Sequence, residues 1–210
     1  MRRSRRRNTE RVERAPTLRF TPIAWAKLLY WRDRGGTEVG SFGITTEGDP
    51  LLVEDVCLVG QSCTAVSVQF EDTAVADFFD EQVDGGLSPD RFARLWLHTH
   101  PGNSPLPSET DEETFERVFG RCDWAVMFIL AHGGRTYTRL SHHRGPRVAV
   151  TIDTCVDFSQ SFLGSDHSVW EQDYRQHVRA IDSFAADLPS VQEFDFLSDF
   201  EEISDDFESF

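Results

Sequence analysis

Lysine is almost absent from this chain of 210 residues: Lys27 is the only one, although arginine is abundant. Cysteine is scarce and unpatterned. Cys57, Cys63, Cys122 and Cys155 show no Cys-x-x-Cys spacing, so they read as buried or incidental thiols, and a disulfide framework is not expected at this length. Long apolar runs are missing too. The longest, Trp124–Ala131, has the length of a strand, which excludes a signal peptide or a membrane-spanning helix and makes a cytoplasmic, reducing location the natural expectation. Basic charge is short where a nucleic-acid binder needs it: the formal net charge is −15, and no basic residue follows Arg179. A nucleic-acid partner is therefore not expected.

The charge that is present is sorted along the chain. Arg2, Arg3, Arg5, Arg6, Arg7, Arg11 and Arg14 crowd the first 16 residues, which lack apolar periodicity and read as a disordered leader. At the other end, Phe194, Phe196, Phe200, Phe207 and Phe210 alternate with acids, a composition typical of segments that fold on a protein partner. The length supports one core with an appendage. The expected organisation is a leader (1–16), a catalytic domain (17–158), a helical extension (159–188) and an acidic, Phe-rich tail (189–210).

Within the central region, helical and strand-like patterns alternate. Thr21 can cap a helix whose first residue is Pro22 and whose apolar positions include Trp25, Leu28 and Leu29, with Gly35 and Gly36 ending it. Residues 39–45, 51–58 and 65–70 read as strands, separated by turns at 47–50 and near Gly60 and Gln61. Residues 73–83 read as a helix with Val75, Phe78, Phe79 and Val83 on its apolar face. A strand over 92–98 follows, then a helix over 108–120, a hairpin of 123–131 with 135–141 across His132, Gly133 and Gly134, and a last strand in 147–153. Residues 166–185 have the pattern of an amphipathic helix through Val169, Trp170, Tyr174, Val178 and Ile181.

The most informative grouping is His98-Thr99-His100-Pro101 followed by Ser108 and Asp111. Side chains two apart on a strand point the same way, so His98 and His100 present their imidazoles side by side. Pro101 ends the strand, and Gly102, Asn103, Ser104, Pro105 and Pro107 form a reversing loop. Ser108 then caps a helix with Asp111 in its first turn. Two neutral imidazoles and a carboxylate suit zinc and leave a fourth position for water. His132, His142 and His143 sit at turns or strand ends and read as solvated groups.

His98-x-His100-Pro101 with Ser108-x-x-Asp111 resembles the signature of the JAMM (MPN-plus, JAB) metalloproteases, and the likeness extends over roughly residues 18–155. The resemblance implies an α/β fold, a curved mixed β-sheet flanked by helices, with the layering of MPN/JAB and cytidine-deaminase-like folds. It implies one zinc ion held by His98, His100 and Asp111, and hydrolysis after the C-terminal glycine of a ubiquitin-like modifier or its conjugates. It also calls for a glutamate on an earlier strand. Glu38, in Glu38-Val39-Gly40-Ser41-Phe42-Gly43, is the preferred candidate, with Glu47 and Glu54 as competitors. On this reading Glu38 shuttles a proton from water to the leaving amine, and Ser108 donates a hydrogen bond to the developing oxyanion. Three alternatives stand beside it: a peptidase that trims a sulfur-carrier protein, a non-catalytic scaffold of the same fold that binds partners through the acidic tail, and a RadC-type protein, which usually carries an N-terminal helix-hairpin-helix region.

Overall fold

The computed structural model describes residues 15–160 and 167–181; the arginine-rich leader up to residue 14 and the acidic, Phe-rich tail lie outside the described residues. The fold is α/β. A large mixed sheet runs in the order β10 (Asp153–Val156), β1 (Thr17–Phe20), β3 (Asp49–Cys57), β2 (Val39–Thr46), β6 (Leu95–His100), β7 (Trp124–Ala131), β8 (Thr136–His142) and β9 (Val148–Thr151), and a second runs β11 (Val178–Ala180), β4 (Gln61–Thr64) and β5 (Ser67–Phe70).

The chain enters through β1 (Thr17–Phe20) and turns into α1 (Pro22–Arg34). Thr21 accepts a hydrogen bond from Ala24 N and Pro22 holds the first helical position, as the sequence indicates. Strands β2 (Val39–Thr46) and β3 (Asp49–Cys57) then form an antiparallel pair. β3 starts inside the predicted 47–50 turn, because the reversal is complete at Gly48, whose φ of 79° suits glycine. A second hairpin follows, β4 (Gln61–Thr64) with β5 (Ser67–Phe70). Gln61 opens β4 and does not lie in the turn expected near Gly60, a difference with a local cause, since Gln-Ser-Cys-Thr has no apolar alternation to signal a strand.

Helix α2 (Asp72–Asp84) buries Phe78 but leaves Val83 53% exposed, so Val83 does not belong to the packed face. Phe92 belongs to a short helix, α3 (Pro89–Phe92), and not to the following strand, because Pro89 starts a helical turn after Ser88. The central strand β6 spans Leu95–His100 and lies antiparallel to β2 and parallel to β7 (Trp124–Ala131). Between β6 and β7 runs α4 (Glu109–Phe119). A 3-10 turn at His132–Gly134 leads into β8 (Thr136–His142). The predicted last strand is two strands, β9 (Val148–Thr151) on β8 and β10 (Asp153–Val156) on β1, with a switch of partner at Ile152. That switch brings the two ends of the sheet together and nearly closes it.

Alternation along β6 and β7 divides the interior. Leu95, Leu97, Phe128 and Leu130 pack with Leu18, Phe20, Leu28 and Trp31 near α1. Trp96, Met127 and Ile129 face the other way, onto Phe42, Phe78, Phe115 and Phe119 from β2, α2 and α4. His98 and His100 follow Trp96 on this second face. The helical extension is shorter than predicted: α5 spans His167–His177, and Val178–Ala180 forms β11 beside β4. There its backbone pairs with the edge of β4 that β5 leaves free. Trp170 of α5 is buried, and Glu171 takes hydrogen bonds from Tyr30 Oη (2.6 Å) and Arg34, which tie α5 to α1, and from Arg175 Nε (2.6 Å) one turn along its own helix. No helix among the described residues is long and apolar enough to cross a membrane.

Candidate metal centre

Strand register sets the first half of the site. Val39 pairs with Thr99, Gly40 with His98 and Phe42 with Trp96. Continuing that ladder by one step puts Glu38 opposite His100, and Glu38 Oε1 lies 3.5 Å from His100 Nε2. Glu38, Gly40 and Phe42 therefore share a face with His100, His98 and Trp96. Gly40 is required by close packing: a Cβ there would come within 2.7 Å of Val68 Cγ1 and 2.9 Å of Phe70 Cζ, both on β5. The His98 ring stacks on Trp96 at 4.3 Å between centroids, which fixes its plane.

The second half comes from the loop and α4. His100 Nδ1 lies 2.9 Å from the Ser104 carbonyl oxygen; donating its proton there leaves Nε2 with its lone pair facing the site. The loop is braced by His132 N, which donates to Gly102 O at 3.0 Å. Ser108 caps α4 in a reciprocal box: Asp111 N donates to Ser108 Oγ (3.2 Å), while Ser108 N (2.7 Å) and Ser108 Oγ (2.8 Å) donate to Asp111 Oδ2. Nη1 and Nη2 of Arg139 on β8 each donate to Glu112 at 2.6 Å, anchoring the first turn of the helix to the sheet.

These elements converge. Asp111 Oδ1 is 3.3 Å from His98 Nε2 and Asp111 Oδ2 is 3.5 Å from His100 Nε2. His98, His100 and Asp111 form the one group among the described residues that could hold a metal ion, with ligand atoms within 4.8 Å of one another. Ligands about 2 Å from a tetrahedral zinc ion stand roughly 3.3 Å apart, so these separations suit such an ion. The unsatisfied atoms point the same way. His98 Nε2, His100 Nε2 and Glu38 Oε2 are buried without a hydrogen-bond partner, a costly arrangement for polar atoms unless something else engages them.

Burial lowers the His98 pKa, keeping the imidazole in the neutral form that binds metal. Burial also opposes charge on His100, but Asp111, the Ser104 carbonyl and Glu38 outweigh it and raise its pKa. At Asp111 burial favours the neutral acid; the facing imidazoles of His100 and His98 and the hydrogen bond from Ser108 N prevail and hold the carboxylate well below its usual range. Glu38 is raised to about 7, chiefly by burial, with His100 opposing and Asp111 adding to the rise. Two acids in one site thus have opposite tendencies, one held ionised and the other able to carry a proton near neutral pH.

No protein-family model matches the chain, and no curated protein matches it. Among solved structures, it resembles the solution structure of protein DSY2949 from Desulfitobacterium hafniense at 14% identity, over 72% of this chain and 97% of that one, with a TM-score of 0.46. A likeness of that degree carries no argument about activity.

The competitors to Glu38 lie elsewhere. Glu47 is exposed in the β2–β3 turn, and Glu54 on β3 is engaged by Arg91. His143 Nδ1 sits 2.8 Å from the Cys122 carbonyl oxygen, and His132 and His142 are outside the metal-ligating group. The sequence reading overlooked Gln61. Its buried carboxamide is bonded to the backbone of Gly40, two residues from Glu38. Only the three-dimensional placement of β4 reveals it.

Proposed function

We propose that the protein is a zinc-dependent peptidase of the JAMM type, cleaving after the C-terminal glycine of a ubiquitin-like modifier, either from a conjugate or from a precursor. The observation that carries this reading is the convergence of His98, His100 and Asp111 around unsatisfied buried nitrogens, with the Glu38 carboxyl on the same face. His98 Nε2, His100 Nε2 and the Asp111 carboxylate would hold the zinc. The metal, when bound, supplies electrophilic polarisation of a carbonyl and activation of a water molecule.

The chain's own groups supply the remainder. Glu38, with its pKa near neutrality, accepts a proton at its carboxylate from the attacking water and returns it to the leaving amine, which departs poorly unless protonated. Ser108 Oγ, which here donates to Asp111, orients that ligand and, on turning, can donate to the oxyanion that develops as the carbonyl is attacked. The MPN/JAB layering expected from the resemblance and a reducing cytoplasmic location belong to this same reading. The experiment is a mass-mapped digest of a diglycine-terminated modifier joined through an isopeptide bond, with zinc-loaded protein. Cleavage after the terminal glycine supports the proposal, and an intact conjugate together with an intact linear precursor overturns it.

A further inference from the structure

Strand β2 has strand partners on both sides over only part of its length. β6 pairs with it from Val39 to Gly43, but β3 joins on the other side only from Phe42 onward. That leaves the backbone of Gly40 in need of partners, and Gln61 of β4 provides them. Gly40 N donates to Gln61 Oε1 at 2.8 Å, and Gln61 Nε2 donates to Gly40 O at 2.8 Å and to Val59 O at 3.0 Å. The side chain is 1% exposed, and these contacts use its acceptor and both donor hydrogens. In an antiparallel ladder the N–H and C=O of one residue point to the same side. Those of Gly40 point to Gln61, so Gly40 and His98 form a non-hydrogen-bonded pair, the kind with Cα atoms only about 4.5 Å apart. Two residues before Gly40, Glu38 N donates to Thr64 O at 2.8 Å, again on β4.

We propose that Gln61 is a positioning residue for Glu38: its carboxamide replaces the strand that β2 lacks at Gly40 and fixes the Glu38 carboxyl against His100. The metal ligands stand on β6 and α4 and do not depend on this contact. The inference rests on the proton-shuttle role assigned to Glu38, and it assigns β4, with β11 paired to its other edge, a part in the site.

The test uses the full-length zinc-loaded protein with Gln61→Met, which keeps the volume and removes the hydrogen bonds, and with Gln61→Glu, which keeps an acceptor for Gly40 N. Expected for Gln61→Met are zinc affinity within about threefold of wild type by chelator competition, Gly40 amide exchange faster by tenfold or more, and a shifted Glu38 carboxyl carbon resonance. On a diglycine-linked conjugate, kcat should fall roughly 10- to 100-fold with KM unchanged, and Gln61→Glu should lie between Gln61→Met and wild type. Unchanged Gly40 exchange with an unshifted Glu38 resonance overturns the inference, as does zinc affinity that falls in step with kcat. Should Gln61→Met not fold, the same readings on Gln61→Glu decide. A wild type that leaves the conjugate intact overturns the proposed function instead, and Gly40 exchange and the Glu38 resonance then settle the positioning role.

Discussion

Glu38 and His100 face each other at the open end of the β2–β6 ladder, Oε1 3.5 Å from Nε2, with both residues buried. The contact pairs a carboxyl whose pKa is raised to about 7 with an imidazole whose pKa is also raised. Both shifts favour the protonated forms of the pair.

One zinc ion per chain should bind at His98, His100 and Asp111, and elemental analysis of protein purified without added metal should find it. The His98→Ala, His100→Ala double variant should hold almost none. Because His100 must lose a proton to bind and its pKa lies above the usual histidine value, affinity should fall by about tenfold per pH unit below that pKa. Stoichiometric zinc in the double variant would remove these residues from the ligand set.

Glu38→Gln should retain zinc and lose turnover by roughly 10²- to 10⁴-fold, since it deletes a proton carrier without deleting a ligand. Zinc content and kcat measured on the same preparation separate the two effects. Near-full activity would reject Glu38 as the shuttle, and with Glu54 held by Arg91 and Glu47 out in a turn, no other sequence candidate stands ready.

The same substitution makes a pH-dependent prediction for the metal-free protein. Folded, Glu38 releases its proton at about 7; unfolded, near the ordinary value of 4.5. Between these values the unfolded chain binds fewer protons, so the protonated carboxyl's contribution to stability is complete below about 4.5 and is lost as pH rises through 7. Glu38→Gln does not titrate. Denaturant unfolding should therefore show a gap between variant and wild type that grows with pH, the variant gaining roughly 1–3 kcal/mol at pH 8 relative to pH 4. A gap that does not change between these pH values would contradict the burial-driven shift.

Much of the site was legible in the sequence because its determinants are local. A strand's two-residue period aligns His98 with His100, Pro101 ends the strand, and Ser108 with Asp111 makes a capping box that also aims the carboxylate. Thr21 and Pro22 open α1 for the same reason. What was not legible depends on partners far away in sequence. Gln61 stands in for a strand through its side chain, Val178–Ala180 leaves the helical pattern to pair with β4, and residues 148–156 divide between two sheet edges at Ile152. Local patterns contain none of that information.

Ser108→Ala should produce two separable losses. Removing the cap and the hydrogen bond to Asp111 should cost about 1 kcal/mol of stability, read from unfolding midpoints. If the hydroxyl also serves the oxyanion, turnover should fall by a further 2 to 4 kcal/mol of transition-state stabilisation, on the order of 30- to 1,000-fold in kcat. A variant that loses only the stability would confine Ser108 to the capping and ligand-orienting role.

The last prediction concerns substrate choice. Glu38 is tied through its backbone to Thr64, and the chain turns at the adjacent hairpin tip, where Val66 is 69% exposed. The ligand loop on the other side carries Leu106, 64% exposed. Two exposed apolar side chains thus stand on the segments that follow Thr64 and His100. The ligand residues themselves lie below the surface, His98 at 0% exposure and His100 at 9%. On the proposed reading an extended chain must bring a carbonyl down to a metal held there, and a residue without Cβ can approach most closely. β5, which pairs only with β4 among the described residues, has a free edge that could hold such a segment in register. Cleavage should therefore occur directly after a terminal glycine and should be lost when that glycine is replaced by valine. Paired glycine and valine substrates, digested side by side and mapped by mass, measure it; equal cutting of both, or rapid hydrolysis of an unfolded casein-like chain, would show a general peptidase with no preference for a modifier's tail.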